Sequence, residues 1–287
     1  MKVLLLGSNG QLGCELQRTC PDLIVLETCD FPKVDFGSTD SIRDCISVTR
    51  PDCIINTAAY TEVDKAEQEQ NLAFRINHLA ALEIAEICKK NTILMVYIST
   101  DFVFNGQNFK PYLPDDTLDP KSVYGKSKLK GEQAVRKILG DKALIIRTAW
   151  LYSVHGNNFV KTMLKLMKEK SSLNVIDEQI GTPTWAKGLA QAIWTALEKN
   201  LTGTFHWTDA GVASWYDFAT AIQEEGLEAG LINSAIPILP VGTGQYPTPA
   251  KRPMYSVLDK TSFWHFTNIK PVHWRVQLRS MLKEFVS

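Results

Sequence analysis

An α/β fold, with helices covering both faces of a parallel sheet, is predicted by three features of the sequence. Short apolar runs alternate with helical stretches through the first 150 residues. These runs are continuously apolar, as strands buried on both faces are, whereas a strand with one wet face alternates apolar and polar residues. A glycine-rich turn separates the first run from the first helical stretch. Together these features predict a doubly wound sheet of the Rossmann type.

The predicted strands follow one another at the spacing of strand–helix units. They are "KVLLLG" (2–7), "LIVLE" (23–27), "CIINTAAY" (53–60), "ILMVYIST" (93–100) and "ALIIRTAWLY" (143–152). The stretches between them with helical periodicity are "GCELQRTC", "DSIRDCISVT" and "NLAFRINHLAALEIAEICKKN". Each helix returns the chain to the start of the next parallel strand.

The character of the sequence changes after residue 152. Helical patterns persist, but strands become rarer and prolines cluster between 237 and 253. We therefore predict a dinucleotide-binding domain over 1–152. Residues 153–287 are predicted to form mainly a smaller C-terminal α/β domain that binds substrate, with one segment returning to the sheet. All seven tryptophans lie at or beyond Trp150, where they are either core residues or a surface on which a flat substrate stacks.

Composition excludes several classes of protein. A chain of 287 residues with 45% hydrophobic and 22% charged residues is typical of a soluble globular protein. Its formal net charge of zero argues against a nucleic-acid partner, which normally requires a basic surface. The first apolar run is too short for an export signal, and no window reaches the ~18 apolar residues of a membrane span. We expect a cytoplasmic protein that binds no membrane.

The cysteines and histidines show no pattern typical of disulfides or of a zinc site. The six cysteines lie in the first third of the chain without a C-x-x-C pair, so we expect reduced thiols. The five histidines show no metal-binding spacing, which argues against a structural zinc site.

The turn "LLLGSNGQLGCEL" places Gly7, Gly10 and Gly13 between the first strand and the first helix. In this context one glycine makes the turn, one lets the backbone approach a pyrophosphate, and one lets the helix pack closely on the sheet. The helix N-terminus offers free N–H groups and partial positive charge to the phosphates. The glycines therefore predict a dinucleotide site; the alternative is a tight turn that binds no ligand.

An acidic residue near the end of the second strand normally binds the adenosine ribose of such a dinucleotide. Asp30 and Asp35 are the two candidates. Either carboxylate would repel a 2′-phosphate, and no arginine directly follows the glycine loop. NADH is therefore favoured over NADPH.

The stretch "VYGKSKLKGE" carries the candidate catalytic residues. Tyr124 and Lys128 are four residues apart, so a helix places both on one face. An ammonium group close to the phenol would favour the phenolate and bring the tyrosine pKa from about 10 toward neutrality. Gly125 is expected to leave room for a cofactor. The alternative is a surface helix with solvated lysines.

Further blocks occur in order across nearly the whole chain. They are "GSNGQLG", "NTAAYTEVDKAE", "STDFVFNG", "YGKSKLKGE", "IIRTAWLY", "GNNFVKTML", "DEQIGTPTWA", "SWYDFA" and "PAKRPMYSVLD". This ordered set resembles the dTDP-4-dehydrorhamnose reductase family of the extended short-chain dehydrogenase/reductase superfamily. The resemblance implies NAD(P)H-dependent reduction of the 4-keto group of dTDP-4-dehydro-L-rhamnose to dTDP-L-rhamnose. The nicotinamide would give the hydride and Tyr124 the proton. Thr100 would hydrogen-bond the carbonyl oxygen, and Lys128 would also contact the nicotinamide ribose.

The resemblance assigns further positions one by one. Cofactor contacts, in addition to Gly7, Gly13, Tyr124 and Lys128, are implied for Gly10, Gln11, Leu12, Asp35, Phe36, Ala59, Tyr60 and Thr61; the Asp35–Phe36 pair fits the family better than Asp30 does. Substrate contacts are implied for Val63, Thr100, Asp101 and Trp150, and nucleotide diphosphate contacts for Asn158 and Arg252. Asp101 could instead cap a turn, and Trp150 could be a core residue.

Rival functions remain on the same fold. Sugar-nucleotide dehydratases carry an Asp-Glu pair after the threonine, whereas Phe102 follows Asp101 here and cannot transfer a proton. An epimerase, or a reductase that acts on another nucleotide sugar, would share the tyrosine and the lysine. A non-catalytic alternative is a dinucleotide-binding regulatory subunit similar to the β-subunit of methionine adenosyltransferase, which keeps the Tyr-x-x-x-Lys motif. The family includes metal-bridged dimers and monomers, so a homodimer and a Mg²⁺ ion stay open; Glu15 alone is not a metal site.

Overall fold

The structure, a computed structural model, describes residues 1–286. Its strands are β1 (Lys2–Leu6), β2 (Val25–Cys29), β3 (Cys53–Asn56), β4 (Leu94–Thr100), β5 (Ala143–Thr148), β6 (Leu151–Tyr152), β7 (Leu173–Ile176), β8 (Ile180–Gly181), β9 (Thr184–Trp185), β10 (Gly203–His206), β11 (Ala213–Ser214) and β12 (Ile238–Val241).

The helices alternate with these strands. They are α1 (Gln11–Arg18), α2 (Thr39–Thr49), α3 (Val63–Ala66), α4 (Gln70–Phe74), α5 (Ala80–Asn91), α6 (Val123–Leu139), α7 (Phe159–Glu169), α8 (Ala186–Glu198), α9 (Trp215–Glu228), α10 (Thr261–Thr267) and α11 (Trp274–Val286). A π-helical turn, Arg75–Leu79, joins α4 to α5. Within the described chain, every helix is too short or too polar to cross a bilayer.

Six strands form one parallel sheet in the order β10-β5-β4-β3-β1-β2. The predicted doubly wound α/β fold is therefore confirmed. The winding reverses between β1 and β3, because β2 lies on one side of β1 and β3 on the other. In open α/β sheets ligands bind outside the carboxyl ends of the strands at this reversal. The sheet has β2 at one edge and β10 at the other, and β10 comes from the C-terminal half of the chain. The domain boundary at residue 152 stays a prediction.

The sheet is buried on both faces. Val3 and Leu5 of β1 pack into a core that includes residues of α1 and α8, whereas Leu4 and Leu6 pack into a core that includes α2, α5 and α6. The expectation of a buried strand is wrong for β2, where Val25 is 59% exposed. This strand forms the edge of the sheet, so one side of it faces solvent.

The C-terminal half builds its own core with helices α7, α9 and α11, around Val160, Phe218 and Leu278. Its strands form two-stranded pairs: β6 with β9, β8 with β11, and β7 with β12. The predicted continuous strand over 143–152 is wrong. It breaks after Thr148 because Trp150 has a φ of +46°, which an extended strand does not allow.

A buried ion pair fixes α6 against the sheet. Arg147 of β5 is fully buried and donates from Nε to Glu132 Oε2 of α6 at 3.1 Å. Ser99 of β4 donates to the same carboxylate oxygen at 2.9 Å. Breaking such a pair by removing one partner typically costs 3–5 kcal/mol. The helix that carries Tyr124 and Lys128 is thereby fixed to two neighbouring strands.

Candidate active site

One cleft, with a cavity volume of about 700 Å³, lies outside the carboxyl ends of β1, β3, β4 and β5. It collects residues from the glycine loop, from the loops after these strands and from α6. The predicted site residues that line it are Gly7, Gly10, Gln11, Leu12, Gly13, Phe36, Ala59, Thr61, Val63, Thr100, Asp101, Tyr124, Lys128, Trp150 and Asn158. Predicted residues that do not line it are Asp35, Tyr60 and Arg252.

The three glycines of the loop have different surroundings. Gly7 has a φ of +81°, and a Cβ built on it would lie 2.5 Å from the nitrogen of Ala58. A Cβ on Gly13 would lie 2.3 Å from the carbonyl oxygen of Gly7. Gly10 is open by comparison, with a Cβ position 3.4 Å from that oxygen. Gly7 makes the turn, Gly13 permits close helix packing, and Gly10 leaves the backbone accessible.

Helix α1 presents its N-terminus to the cleft. Its N-cap is Gly10, so no side chain caps the first turn. Gln11 and Leu12 line the cleft at this end. Uncapped N–H groups and the positive end of the helix dipole suit a pyrophosphate. The local chemistry therefore fits a dinucleotide.

The acidic residue at the cleft rim is Asp30, which directly follows β2. Its carboxylate accepts hydrogen bonds from the backbone N–H groups of Asn9 and Phe31, both at 2.8 Å. Asp35 instead accepts from Gly37 N at 2.7 Å, so its carboxylate is directed toward the backbone two residues further along the chain. Phe36 lines the cleft as predicted. The expected preference for Asp35 does not match this geometry, because Asp35 is used locally.

The loop after β3 contributes Ala59, Thr61 and Val63 to the cleft. Tyr60 between them points elsewhere, although it was predicted to contact the cofactor. Its hydroxyl donates to Glu69 Oε2 at 2.7 Å, and its backbone N–H donates to Asn77 Oδ1 at 2.9 Å. These two hydrogen bonds hold Tyr60 against Glu69 and Asn77, away from the cleft that its neighbours line.

The opening turn of α6 places the candidate catalytic pair. Ser122 caps this helix by accepting from Gly125 N at 3.1 Å. Tyr124 and Lys128, one turn apart, both line the cleft, and Thr100 at the end of β4 lies beside them. The Tyr124 ring meets the edge of Phe102 with centroids 5.4 Å apart. Helical spacing and strand order thus bring the three predicted catalytic residues together.

Burial dominates the ionisation of this pair. It raises the pKa of Tyr124 to about 12, and the Thr100 hydroxyl offsets only part of that rise. Burial also lowers the pKa of Lys128 to about 7. The Lys128 ammonium donates to the carbonyl oxygen of Ile98 at 2.6 Å. The expected shift of the tyrosine pKa toward neutrality is therefore not built into the chain itself. Tyr124 is a protonated acid at neutral pH.

Gly125 has a steric task that differs from the expected one. A Cβ on it would lie 2.3 Å from the carbonyl oxygen of Phe102. The glycine therefore lets α6 approach the backbone that follows β4. The prediction that it leaves room for a cofactor is wrong, because the space it leaves is filled by protein backbone.

Thr100 and Asp101 form a polar pair at the base of the cleft. Thr100 caps a 3₁₀ turn, Asp101–Val103, by accepting from Phe102 N at 3.2 Å. Its hydroxyl donates to Asp101 Oδ1 at 3.0 Å. Asp101 is 2% exposed, and burial raises its pKa to about 6. The cap of this turn is thus Thr100, and Asp101 is a buried acid facing the cleft.

Trp150 enters the cleft from the break after β5. It stacks on Trp215, the first residue of α9, with ring centroids 3.6 Å apart and 8° between the planes. A Cβ on Gly181 would lie 2.6 Å from its indole. The role of Trp215 could not be found by spacing, because 65 positions separate the two tryptophans. Its only signal was the block "SWYDFA".

Asn158 and Arg252 have defined partners. Asn158 caps α7 by accepting from Lys161 N at 3.1 Å, and its amide donates to Gln11 Oε1 of α1 at 3.0 Å. Arg252 makes two hydrogen bonds to the carboxylate of Asp64, at 2.6 and 3.0 Å. The guanidinium that was expected to contact a nucleotide diphosphate is therefore paired with α3.

The residues present do not fit a Mg²⁺ site. Across residues 1–286, no three His, Cys, Asp or Glu side chains come together as a metal cluster. Glu15 is fully buried, accepting from Ser153 Oγ at 2.7 Å and from Arg18 Nη2 at 2.7 Å. Its oxygens are thus used by protein donors.

Comparisons with known proteins agree with this geometry. The family model described as "RmlD substrate binding domain" matches residues 1–287. The spore coat polysaccharide biosynthesis protein SpsK of Bacillus subtilis is 42% identical over 99% of this chain and 97% of its own length. The dTDP-4-dehydrorhamnose reductase of Escherichia coli K12 is 40% identical over 99% and 98%. A crystal structure of the Bacillus anthracis dTDP-4-dehydrorhamnose reductase with NADP superimposes with a TM-score of 0.92, at 34% identity and 99% coverage of both chains.

Proposed function

Because the chain belongs to the RmlD substrate binding domain family, we propose that it reduces the 4-keto group of dTDP-4-dehydro-L-rhamnose to give dTDP-L-rhamnose. The observation that carries the proposal is one cleft in which Tyr124, Lys128 and Thr100 meet the glycine loop. The relatives named as dTDP-4-dehydrorhamnose reductases support the choice of substrate.

The nicotinamide dinucleotide, when bound, supplies the hydride. Gly7, Gly10 and Gly13 with the N-terminus of α1 would hold its pyrophosphate, and Asp30 would hold the adenosine ribose. The Asp30 carboxylate would repel a 2′-phosphate, so we favour NADH over NADPH. The ratio of kcat/KM for the two cofactors tests this preference, and the Asp30→Asn variant should shift the ratio toward NADPH.

The proton comes from Tyr124. Hydride arriving at the ketone carbon leaves negative charge on its oxygen, and a neutral phenol beside it can donate a proton there. The raised tyrosine pKa keeps that proton in place until the alkoxide forms. Thr100 would hydrogen-bond the same oxygen, and the Lys128 ammonium would stabilise the resulting phenolate. Val63, Asp101 and Trp150 would contact the sugar.

The test is the loss of nicotinamide absorbance on adding dTDP-4-dehydro-L-rhamnose generated by upstream enzymes. Tyr124→Phe should lower kcat by ~10²–10⁴ while NADH still binds, because only the transferable proton is removed. Tyr246→Phe, at a tyrosine 57% exposed and outside the cleft, is the matched control. If NADH binds to the wild type and is never consumed, the chain is a binding subunit, and a synthetase partner should co-purify with it.

The epimerase alternative and the oligomeric state are tested by separate measurements. An epimerase would convert a nucleotide sugar without net consumption of NADH. The six free cysteines support the cytoplasm as the compartment. A homodimer stays a prediction that light scattering of the purified protein would decide. No step of the proposed reaction passes through Mg²⁺.

A further inference from the structure

Two thiols from different elements meet beside the cofactor side of the cleft. Cys29 is the last residue of β2 and Cys45 lies in α2, and their Sγ atoms are 2.7 Å apart. A disulfide joins its sulfur atoms at about 2.0 Å, so these two need to approach by only about 0.7 Å. We propose that Cys29 and Cys45 are a modification site, at which a small-molecule disulfide oxidises them to a reversible disulfide that holds β2 to α2. This inference goes beyond the proposed reduction and does not depend on it.

The elements that carry the two sulfur atoms are fixed by one core. Cys29 is 8% exposed and packs in the core that contains Ile42 and Ile46 of α2, and Cys45 packs against the same core. The carbonyl oxygen of Cys29 accepts a hydrogen bond from Gly7 N at 3.1 Å, which fixes the end of β2 to the glycine loop. Close-packed interiors resist large displacements. Because the sulfur atoms are already close, the disulfide forms without a change in the position of either element.

The other four cysteines lack such a partner. Within residues 1–286, no other two cysteines are hydrogen-bonded to each other. The partly exposed thiols of Cys14 and Cys20 donate to backbone carbonyl oxygens, and Cys53 and Cys88 are buried. The geometry therefore selects one pair, and the remaining cysteines are internal controls for its oxidation.

Exposure sets the order of the steps. Cys45 is the more exposed of the two thiols, so its thiolate attacks one sulfur atom of the small disulfide. That S–S bond breaks, a first small thiolate leaves and takes a proton, and Cys45 is held in a mixed disulfide. The Cys29 thiolate then attacks the Cys45 sulfur and releases the second small thiol. Two protein thiols are thereby oxidised by two electrons, and one small disulfide is reduced to two thiols.

The ionisation of Cys45 sets the rate of the first step. Burial, together with the hydrogen bond to Cys29, raises the pKa of Cys45 to about 12. Because the thiolate is the attacking species, oxidation is slow at neutral pH. In a reducing compartment the two thiols stay reduced, and the disulfide accumulates only when oxidising conditions persist.

The segment that the disulfide encloses belongs to the cofactor side of the cleft. Asp30 and Phe36 lie between the two cysteines in sequence, and both line the cleft. A cross-link between the ends of this segment restricts the unfolded chain, so the melting temperature should rise by at least about 2 °C. Since the folded positions hardly change, the Kd for NADH should change by less than about threefold.

The experiment treats the full chain with oxidised glutathione at pH 8.5 for several hours, followed by alkylation in denaturant and measurement of the intact mass. We expect a wild-type product that has lost two hydrogen atoms and leaves two cysteines unalkylated, with a Cys29–Cys45 cross-linked peptide after digestion. Dithiothreitol should restore the reduced mass. Cys45→Ser should form no internal disulfide, whereas Cys20→Ser, the matched control, should be oxidised as the wild type is.

The other outcomes contradict the proposal. A glutathione adduct that persists on Cys45, a bond between other cysteines, or a fully reduced wild type would each show that the two sulfur atoms do not join. A melting temperature that does not rise, or a Kd for NADH raised more than about tenfold, would show that the bond distorts the fold. If the wild type forms the disulfide but never reduces the ketone, the proposed function fails and the modification site stands.

Discussion

The cofactor half and the C-terminal half place their cleft residues in different ways. In the cofactor half, the site residues lie at or shortly after the carboxyl ends of strands in one sheet, so the order of strands brings Gly7, Ala59 and Thr100 to the same edge. In the C-terminal half, cleft geometry depends on pairs far apart in sequence. Trp150 stacks on Trp215, and Asn158 bonds to Gln11.

This difference shows where sequence patterns carry positional information. In a parallel sheet with short connections, the carboxyl ends of all strands lie along one edge, so a residue at the end of a strand has a predictable place there. A stack between two tryptophans depends on how helices and short strands pack. The loops at the strand ends are sensitive to local steric changes. The tryptophan stack is sensitive to the loss of a partner far away in sequence. Substitutions in each half can test this contrast.

The largest expected effect is steric and belongs to the glycine loop. Gly13→Ala would place a Cβ 2.3 Å from the Gly7 carbonyl oxygen and 2.7 Å from the backbone of Ser8. Backbone cannot move aside as a flexible side chain can, so we expect a loss of about 3 kcal/mol in the free energy of unfolding, the upper end for overpacking. Urea unfolding followed by fluorescence measures this loss.

Gly10→Ala is the matched control in the same loop. Its Cβ has room and its backbone is extended, with φ −72° and ψ 167°, so the free energy of unfolding should change by less than about 1 kcal/mol. Its affinity for NADH should still fall if this glycine is where the pyrophosphate approaches. Equal destabilisation by the two variants would contradict the division of tasks among the glycines.

The second prediction removes a distant partner. Trp215→Leu deletes the surface that holds Trp150 at its left-handed φ of +46°. A stacked aromatic pair is worth about 0.5–1.5 kcal/mol, so the KM for the sugar nucleotide should rise by about two- to tenfold. The Kd for NADH should stay unchanged, because Trp215 does not line the cleft beside the glycine loop.

Steady-state kinetics and NADH titration check the two halves of that prediction. Phe109→Leu, at an aromatic residue 89% exposed and outside the cleft, is the control for a general loss of aromatic surface. A fall in NADH affinity equal to the rise in KM would show that the stack supports the whole fold rather than the substrate side.

The same contrast explains what sequence reasoning could reach. The sheet, the glycine loop and the convergence of Thr100, Tyr124 and Lys128 follow from strand order and helical spacing. Strand order and helical spacing do not predict which individual side chains face the cleft. Asp30 and Tyr60, for example, are oriented by their own hydrogen bonds. The ionisation of Tyr124 also escaped prediction, since it depends on burial rather than on the spacing of Lys128.

The smallest expected effect concerns an exposed ion pair between the two halves. Arg252 binds the Asp64 carboxylate through two hydrogen bonds, and the guanidinium holds the pKa of Asp64 below its ordinary value. Both side chains are partly exposed, so Arg252→Met should lower the free energy of unfolding by no more than about 1 kcal/mol. The variant keeps an unbranched apolar stem and removes the charged guanidinium.

The pH dependence of that difference identifies its cause. A carboxylate whose pKa is lowered on folding stabilises the protein above its unfolded pKa, and this contribution is lost as the pH falls through the folded value. The gap in unfolding free energy between wild type and Arg252→Met should therefore be full at neutral pH and shrink below roughly pH 4. Chemical unfolding at several pH values measures it. An unchanged gap in acid would contradict the ion pair, and a large rise in KM at neutral pH would show that Arg252 leaves Asp64 to bind the nucleotide diphosphate.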